Sequence, residues 1–351
     1  MIKFEEKEVI RFGFIGFGKM GRIRAEALAK TERVEGVVVF EPNLDGECDF
    51  PLANSPEEII SNDNVDAICI SVPNAFNFEY TIGALNAGKH VFCEKPPAFT
   101  SQQVREIRLA EKASGKKLMY GFNHRHHGAV MKMKELIDSN KYGKVLWMRG
   151  RYGKSVDESY FETWRANKEL AGGGILFDQG IHMLDLFLHI GGTFDQVHAF
   201  VSSLYWKMEG MEDNVFAIMK NSKTGMAASL HSTMTQWRHL FSLEVFLESG
   251  YMVLNGLKTG SGTYGDEILT VAKNRSQAPA ATWDDEERFL FETDSSWDSE
   301  AEHFISAICN DTPISIGTSH DALQVMELIE DIYENEHHES ESLNTHLKPI
   351  Q

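Results

Sequence analysis

The first third of the chain alternates short apolar runs with stretches of helical periodicity. Runs at 10–15 (IRFGFI), 36–40 (GVVVF), 66–72 (DAICISV), 90–93 (HVFC) and 117–121 (KLMYG) are nearly continuous in apolar character. A strand reads this way when both faces of its sheet are covered. Between these runs, 19–30, 56–61, 77–88 and 101–114 read as helices. Strand and helix taking turns predicts a parallel sheet covered by helices.

From residue 122 the pattern changes. GFNHRHHGAVMKMKELIDS is a histidine-rich turn followed by an amphipathic helix, with Val130, Met133, Leu136 and Ile137 on one face. Alternating segments follow at 144–153, 195–206, 213–220, 225–237, 241–248 and 251–256, with turns such as NSKTG and ESGY between them. Alternation with tight turns predicts an antiparallel sheet. The fold class expected is α/β plus α+β, with a dinucleotide-binding domain over 1–122 and a second domain over 123–351. A last helix is expected over about 318–336, and the polar tail after it is expected to fray.

Composition narrows the partners. The net charge of −18 argues against nucleic acid and anionic lipid, which are bound through clustered Lys and Arg. The N-terminus MIKFEEKE is too charged for a secretory signal, and no apolar run approaches the ~18 residues needed to span a bilayer. Cys48, Cys69, Cys93 and Cys309 form no C-x-x-C pair and read as small buried thiols in a reducing compartment. A soluble, cytoplasmic protein is expected.

Three segments of the first domain carry chemistry. Gly16-Phe17-Gly18-Lys19-Met20-Gly21 is a G-x-G-x-x-G run that follows a strand and opens a helix, the context a dinucleotide loop requires. Gly16 permits the turn, Gly18 admits a pyrophosphate, and the helix N-terminus supplies partial positive charge. Glu41 ends the next strand, where a carboxylate accepts from a ribose diol and repels a 2′-phosphate. NAD is therefore favoured, with Arg33 leaving NADP open as a partial offset to Glu41. Ser71-Val72-Pro73-Asn74 leaves a strand at the same carboxyl edge, the edge along which open α/β sheets bind ligands. Glu94-Lys95-Pro96-Pro97 leaves the next one. Proline cannot continue a ladder, so the strand stops there and Lys95 is aimed.

In the second half, GGGILFDQGIHMLDLFLH (172–189) places Asp178, His182, Asp185 and His189 at spacings of four, three and four, one face of an α-helix. Such a polar stripe among apolar residues must be satisfied. Three readings stand at this point: loop capping, which suits Asp185 and His189 best; a metal site; and acid–base chemistry with His182 as the proton acceptor and Asp178 orienting it. The run Asn123-His124-Arg125-His126-His127 reads mainly as a loop, with Arg125 as a substrate contact. Arg151, Lys154 and Arg165 are further cations expected near a pocket. Tyr152, Tyr160 and Trp164 could stack on a sugar or a base.

Taken together, Gly16–Gly21, Ser71-Val72-Pro73-Asn74, Glu94-Lys95-Pro96, Trp164-Arg165 and Gly172-Gly173-Gly174…Asp178-Gln179-Gly180-Ile181-His182…Asp185 resemble the Gfo/Idh/MocA oxidoreductases over nearly the whole chain. The resemblance implies an N-terminal Rossmann domain and a C-terminal domain built on a large, mostly antiparallel sheet, whose open face makes homodimers or homotetramers. It implies closing helices in 295–333 that return toward the first domain. It implies hydride transfer between nicotinamide and a secondary alcohol, with Lys95, Asp178 and His182 catalytic and no metal. Gly16, Phe17, Gly18, Lys19, Met20, Glu41, Ser71, Pro73, Asn74, Glu94, Lys95, Trp164 and Arg165 are then expected to hold the cofactor. Lys95, Asn123, Arg125, Tyr152, Asp178 and His182 are expected to hold the substrate. That substrate is expected to be a sugar-type alcohol such as a nucleotide-linked sugar, with a free polyol such as an inositol close behind. A nicotinamide-binding sensor without turnover is the alternative of another class, and a metal-dependent hydrolase the third. Two positions depart from the family pattern: Arg24 and Asn77 stand where it often has His. Glu94 is left between two tasks, tethering its loop or tuning Lys95.

Overall fold

The computed structural model describes residues 9–273 and 282–346, with side chains described up to residue 335. The charged N-terminal stretch read above as unsuited to a signal, and the last residues of the tail expected to fray, lie outside the described residues. The chain divides into two compact units. The first comprises residues to His126 and Ser295–Leu323, and the second His127–Asp294 with Gln324 onward. Against the expected division at 122, residues 123–126 and 295–323 fall with the first unit.

The first unit runs β1 (Ile10–Ile15), α1 (Lys19–Ala29), β2 (Val34–Phe40), α2 (Pro56–Ile60), β3 (Ala67–Ile70), α3 (Asn77–Asn86), β4 (His90–Cys93), α4 (Ser101–Ser114) and β5 (Leu118–Tyr120). All five strands are parallel, in the order β2-β1-β3-β4-β5. The order reverses between β1 and β3, and a crevice opens at such a switch point beyond the carboxyl ends of the strands. β3 and β5 are wholly buried and β4 nearly so, which explains their unbroken apolar sequence. α4 is bounded by local chemistry: Thr100 and Gln103 form a capping box, and Gly115 ends the helix in the left-handed region at φ 65°.

The second unit contains α5 (Gly128–Asp138), β6 (Val145–Ser155), α6 (Lys168–Ala171), α7 (Ile181–Gly191), β7 (Gln196–Ser202), β8 (Asn214–Lys220), β9 (Ala227–Thr233), β10 (Thr235–Leu247), β11 (Gly250–Asn255), β12 (Glu267–Lys273) and β13 (Glu287–Phe291). Its eight strands form one sheet in the order β13-β12-β11-β10-β6-β9-β8-β7. Every neighbouring pair is antiparallel except β6 with β9. α7 covers one face, where Met183 and Phe187 press on the bare backbone of Gly150. On the other face Phe200, Phe216 and Ile218 stay exposed, and Trp147 stacks on Phe246 at 5.2 Å.

The chain returns to the first unit with α8 (Ser296–Cys309), then forms α9 (Ser319–His346), which ends ten residues beyond the expected last helix. Phe304 of α8 meets Phe12 and Phe92 edge-on at 6.3 and 5.7 Å, so the helix completes the core under the parallel sheet. Among the described residues no helix is long and apolar enough to cross a membrane.

In the second unit one buried carboxylate ties α5 to β12. Glu267 accepts from Ala129 N–H at 2.8 Å and Lys258 N–H at 3.0 Å, and lies 2.7 Å from His127 Nδ1. Burial pushes its carboxyl up, but the His127 ring and the two backbone donors outweigh that and hold it below its ordinary value. A carboxyl depressed in the folded state contributes stability that is present above the unfolded pKa and lost as pH falls through the folded one. Urea titration should find Glu267→Gln less stable than wild type by about 1–3 kcal/mol near pH 7. That gap should shrink steadily as the pH is taken below ~4. A gap that stays constant into acid would show that the charge is not what matters.

Candidate active site

In the first unit the glycine loop sits on the switch point. Gly16 ends β1 with φ +89°, and a Cβ there would lie 2.3 Å from the Ser71 carbonyl oxygen at the end of β3. Only glycine satisfies both conditions. Over Gly18 a Cβ would meet nothing within 4 Å, so the backbone is open to an approaching group. Gly18 caps α1 without a side-chain hydrogen bond, and the first turn, which includes Lys19 and Met20, has no acidic residue. Its N–H groups are thus kept for an anion. Glu41, just past β2, accepts from Phe17 N–H at 2.8 Å and Asn43 N–H at 3.1 Å. A carboxylate has about four lone-pair directions, so acceptor capacity remains for ribose hydroxyls. These residues fit a dinucleotide. Arg33 does not offset Glu41: it precedes Val34 at the other end of β2 and lies against Cys309.

Ser71, Pro73 and Asn74 follow β3, and Asn74 opens a single 3₁₀ turn into α3. Glu94-Lys95-Pro96 leaves β4 at the same edge, with a cis Lys95–Pro96 peptide. This loop is pinned from two sides. Asn77 Nδ2 donates to the Pro96 carbonyl at 2.8 Å and the Glu94 carbonyl at 3.4 Å. The Glu94 carboxylate is buried and receives Arg24 Nε at 2.7 Å, with Nη2 2.6 Å from the same oxygen as an ion-pair contact. Glu94 therefore tethers the loop, the task the sequence left open. Both departures from the family pattern, Arg24 and Asn77, hold this one segment. Lys95 is half-buried.

The histidine run is a buried 3₁₀ turn, Asn123–His126, rather than an open loop. Arg125 is 4% exposed and ion-paired with Asp321 at 3.1 Å, while Asn123 Nδ2 reaches Ser296 Oγ at 3.4 Å. Arg125, expected to contact the substrate, is thus anchored to Asp321 within the first unit.

In the second unit the Gly172–Gly174 segment leads into Leu176–Gly180, which is wound as a π-turn: Ile181 N–H reaches back to the Leu176 carbonyl. The wider turn inserts a π-bulge between Asp178 and the start of α7, the helix that carries His182. Buried Glu212 holds the start of the segment, accepting from Gly174 N–H at 2.9 Å, Leu176 N–H at 2.8 Å and Tyr333 Oη at 3.0 Å. A Cβ on Gly174 would sit 1.9 Å from the Glu212 carbonyl oxygen.

Around the π-turn stands a cluster of polar groups. Asp178 is ion-paired with Lys154 at 2.7 Å and with Arg165 at 3.6 Å, and Arg165 stacks over Trp164 at 4.5 Å. Lys154 Nζ also lies 5.2 Å from the centre of the Tyr160 ring. Tyr152 and Lys154 are two apart on β6 and share a face, whereas Arg151 points to the exposed side, contrary to its expected place near a pocket. His182 is buried 6.3 Å, ring to ring, from Tyr152. Tyr152 is held well above its ordinary pKa by burial first, then by Tyr264 and Asp178, so its phenol stays neutral. Asp185 is fully buried within α7. Tyr264 and His239 join the cluster from distant segments, 4.8 Å apart ring to ring, and no local signal announces them. Period-two counting from Tyr152 does reach Lys154.

A parallel sheet with a glycine loop at its switch point, joined to a chain segment that builds a large open-faced sheet, defines a dinucleotide-binding protein of two units. Residues 10–122 match the family model described as the oxidoreductase family with an NAD-binding Rossmann fold, and 130–253 match that of the Gfo/Idh/MocA C-terminal domain. The chain belongs to the Gfo/Idh/MocA family. It is 35% identical over 139 residues to D-glucoside 3-dehydrogenase of Escherichia coli, covering 40% of this chain and 39% of that protein. It is 31% identical over 211 residues to levoglucosan dehydrogenase of Pseudarthrobacter phenanthrenivorans, covering 55% and 54%. The matches thus span from under two fifths to little over half of these relatives' lengths. The fold of a levoglucosan dehydrogenase solved with NADH and levoglucosan superimposes with a TM-score of 0.82 at 24% identity, over 95% of this chain and 98% of that one.

With Glu41 at the end of β2 and Arg33 at its start, fluorescence titration should show NADH binding more tightly than NADPH. Glu41→Gln keeps an acceptor for Phe17 N–H and removes the charge, so it should narrow the NADH/NADPH ratio by about tenfold, on the order of 1.4 kcal/mol. An unchanged ratio would take Glu41 out of the discrimination.

Proposed function

We propose that this protein is an NAD-dependent dehydrogenase or reductase that interconverts a secondary alcohol and a ketone on a sugar-type small molecule. The observation that carries the proposal is the presentation of Lys95 at the carboxyl edge of the dinucleotide-binding sheet, on a loop held by both Arg24 and Asn77. Nicotinamide, when bound, accepts or supplies the hydride. Lys95 directs its ammonium at the substrate oxygen and stabilises the alkoxide that develops as the C–H bond breaks. His182 takes the hydroxyl proton in the oxidative direction and returns it in reduction. Asp178 accepts from a substrate hydroxyl and fixes its orientation. Its pairing with Lys154 and Arg165 keeps that acceptor in place.

The same pairing bears on substrate class. Lys154 and Arg165 already face the Asp178 carboxylate, Arg125 faces Asp321, and Arg151 is on the exposed face of the sheet. Of the cations expected to hold a diphosphate, three thus already face a carboxylate and Arg151 faces outward, which supports a neutral sugar, glycoside or cyclitol over a nucleotide-linked sugar. The names of the relatives, glucoside, levoglucosan and inositol dehydrogenases, point the same way.

The test is absorbance at the reduced-nicotinamide band with NAD and a panel of free sugars, glycosides, inositols and nucleotide sugars. Turnover is expected among the neutral compounds. Lys95→Ala should abolish it while NADH still binds, and His182→Ala should lower the rate by about 10²–10⁴-fold. Turnover confined to nucleotide sugars would overturn the substrate class. Cofactor binding with silence across the panel would favour a sensor, and near-normal turnover of Lys95→Ala would remove that residue from the mechanism.

A further inference from the structure

We propose that Arg24 is a positioning residue for Lys95: through the Glu94 carboxylate, it sets where the Lys95 side chain leaves the end of β4. The proposal rests on the role assigned to Lys95 above. Arg24 lies on α1, the helix that the glycine loop opens, seventy residues before Glu94 in sequence. Its guanidinium forks: Nε donates to a Glu94 oxygen that Nη2 also faces as an ion-pair contact, and Nη1 pairs with Glu300 of α8. The plane of the fork is fixed as well as its ends. Phe92 lies 4.4 Å and Trp297 4.6 Å from the guanidinium carbon, measured to their ring centres. All three charged side chains are buried.

Two carboxylates from different elements hold this one guanidinium. Glu300 orients Arg24 from α8, and Arg24 in turn holds Glu94, whose backbone runs directly into Lys95. Burial works against the Arg24 charge, but Glu300 and Glu94 outweigh it and hold the guanidinium above its ordinary pKa. The space is made to measure at Gly121, just past β5. A Cβ there would lie 2.7 Å from Arg24 Nη2 and 3.0 Å from Glu94 Oε2. A methyl group at 121 would therefore push on the contact that aims the loop. Lysine at 24 would keep the charge but lose both the fork and the stacking between two rings.

Arg24→Lys and Gly121→Ala test this in the full chain, with three readouts. The first is NADH affinity by fluorescence, and the second is the separation of kcat from KM. The third is the rate at which trace acetic anhydride modifies Lys95, followed by mass spectrometry against exposed Lys30 as internal standard. Both variants should bind NADH within about threefold of wild type, while kcat falls by about tenfold or more with KM little changed, as misplacement of a reacting group costs. Lys95 modification should change by about threefold or more, with Lys30 unchanged, because the lysine's surroundings move. Wild-type kcat and wild-type Lys95 modification in a variant with only a lowered melting temperature would overturn the proposal and leave Arg24 a structural residue. If one variant fails to fold, the other tests the same contact with the same readouts. A wild-type enzyme silent toward every alcohol would defeat the proposed function instead, and the modification rates alone would then judge Arg24.

Discussion

The first unit depends on a guanidinium held between two carboxylates and out of water. Removing one partner from a buried ion pair typically costs about 3–5 kcal/mol, because the remaining charge is left uncompensated. Arg24, Glu94 and Glu300 are therefore committed to one arrangement, and so are the elements that carry them: α1, the end of β4 and α8. The cofactor end of the sheet inherits its shape from this. α1 cannot shift without moving Glu94, and Glu94 cannot move without carrying Lys95. The N-terminus of α1, left uncapped for an anion, is in this way coupled to the loop that presents the lysine. Asn77 completes the arrangement from the other side by gripping the loop's carbonyls.

The second unit solves a similar problem with different parts. Its polar cluster sits where a glycine-rich segment enters α7 through the π-turn at Leu176–Gly180. Glu212 holds the turn's entry by taking two backbone N–H groups and the Tyr333 hydroxyl. Asp178 then meets Lys154 from β6 and Arg165 from the turn beside Trp164. The result is a carboxylate pinned by cations, beside a buried imidazole and a neutral phenol. Such a set suits hydroxyl-rich neutral ligands, whose hydroxyl groups need fixed acceptors and donors more than net charge.

Strong local signals were legible in the sequence. β1, β4 and α4 match their expected bounds to the residue, because unbroken apolar runs and a capping box leave little freedom. β12 and β13 are absent from the expected strands although each pairs with the strand before it in the chain, because their own alternation is short. The π-turn has no period of its own to detect, so the four-three-four spacing of Asp178, His182, Asp185 and His189 reads in the sequence as one continuous α-helix. Charge was hardest to place. Arg33 lies at the wrong end of β2 to meet Glu41, Arg151 is on the exposed face and Arg125 is committed to Asp321. The reason is that a sequence fixes which residues are cations but not which carboxylate folding will bring to each. Arg24 shows the converse, since its partners lie 70 and 276 residues away and nothing near it in the chain announces them.

In the proposed reaction, hydride passes directly between nicotinamide and a carbinol carbon of a sugar-type substrate. Turnover of a substrate deuterated at that carbon, with NAD in deuterium-free water and the reduced cofactor read by NMR, tests it most directly. Direct transfer predicts one deuterium at nicotinamide C4, on a single face, with none lost to solvent. Deuterium appearing in water, or oxidised product formed with no label in the cofactor, would contradict it.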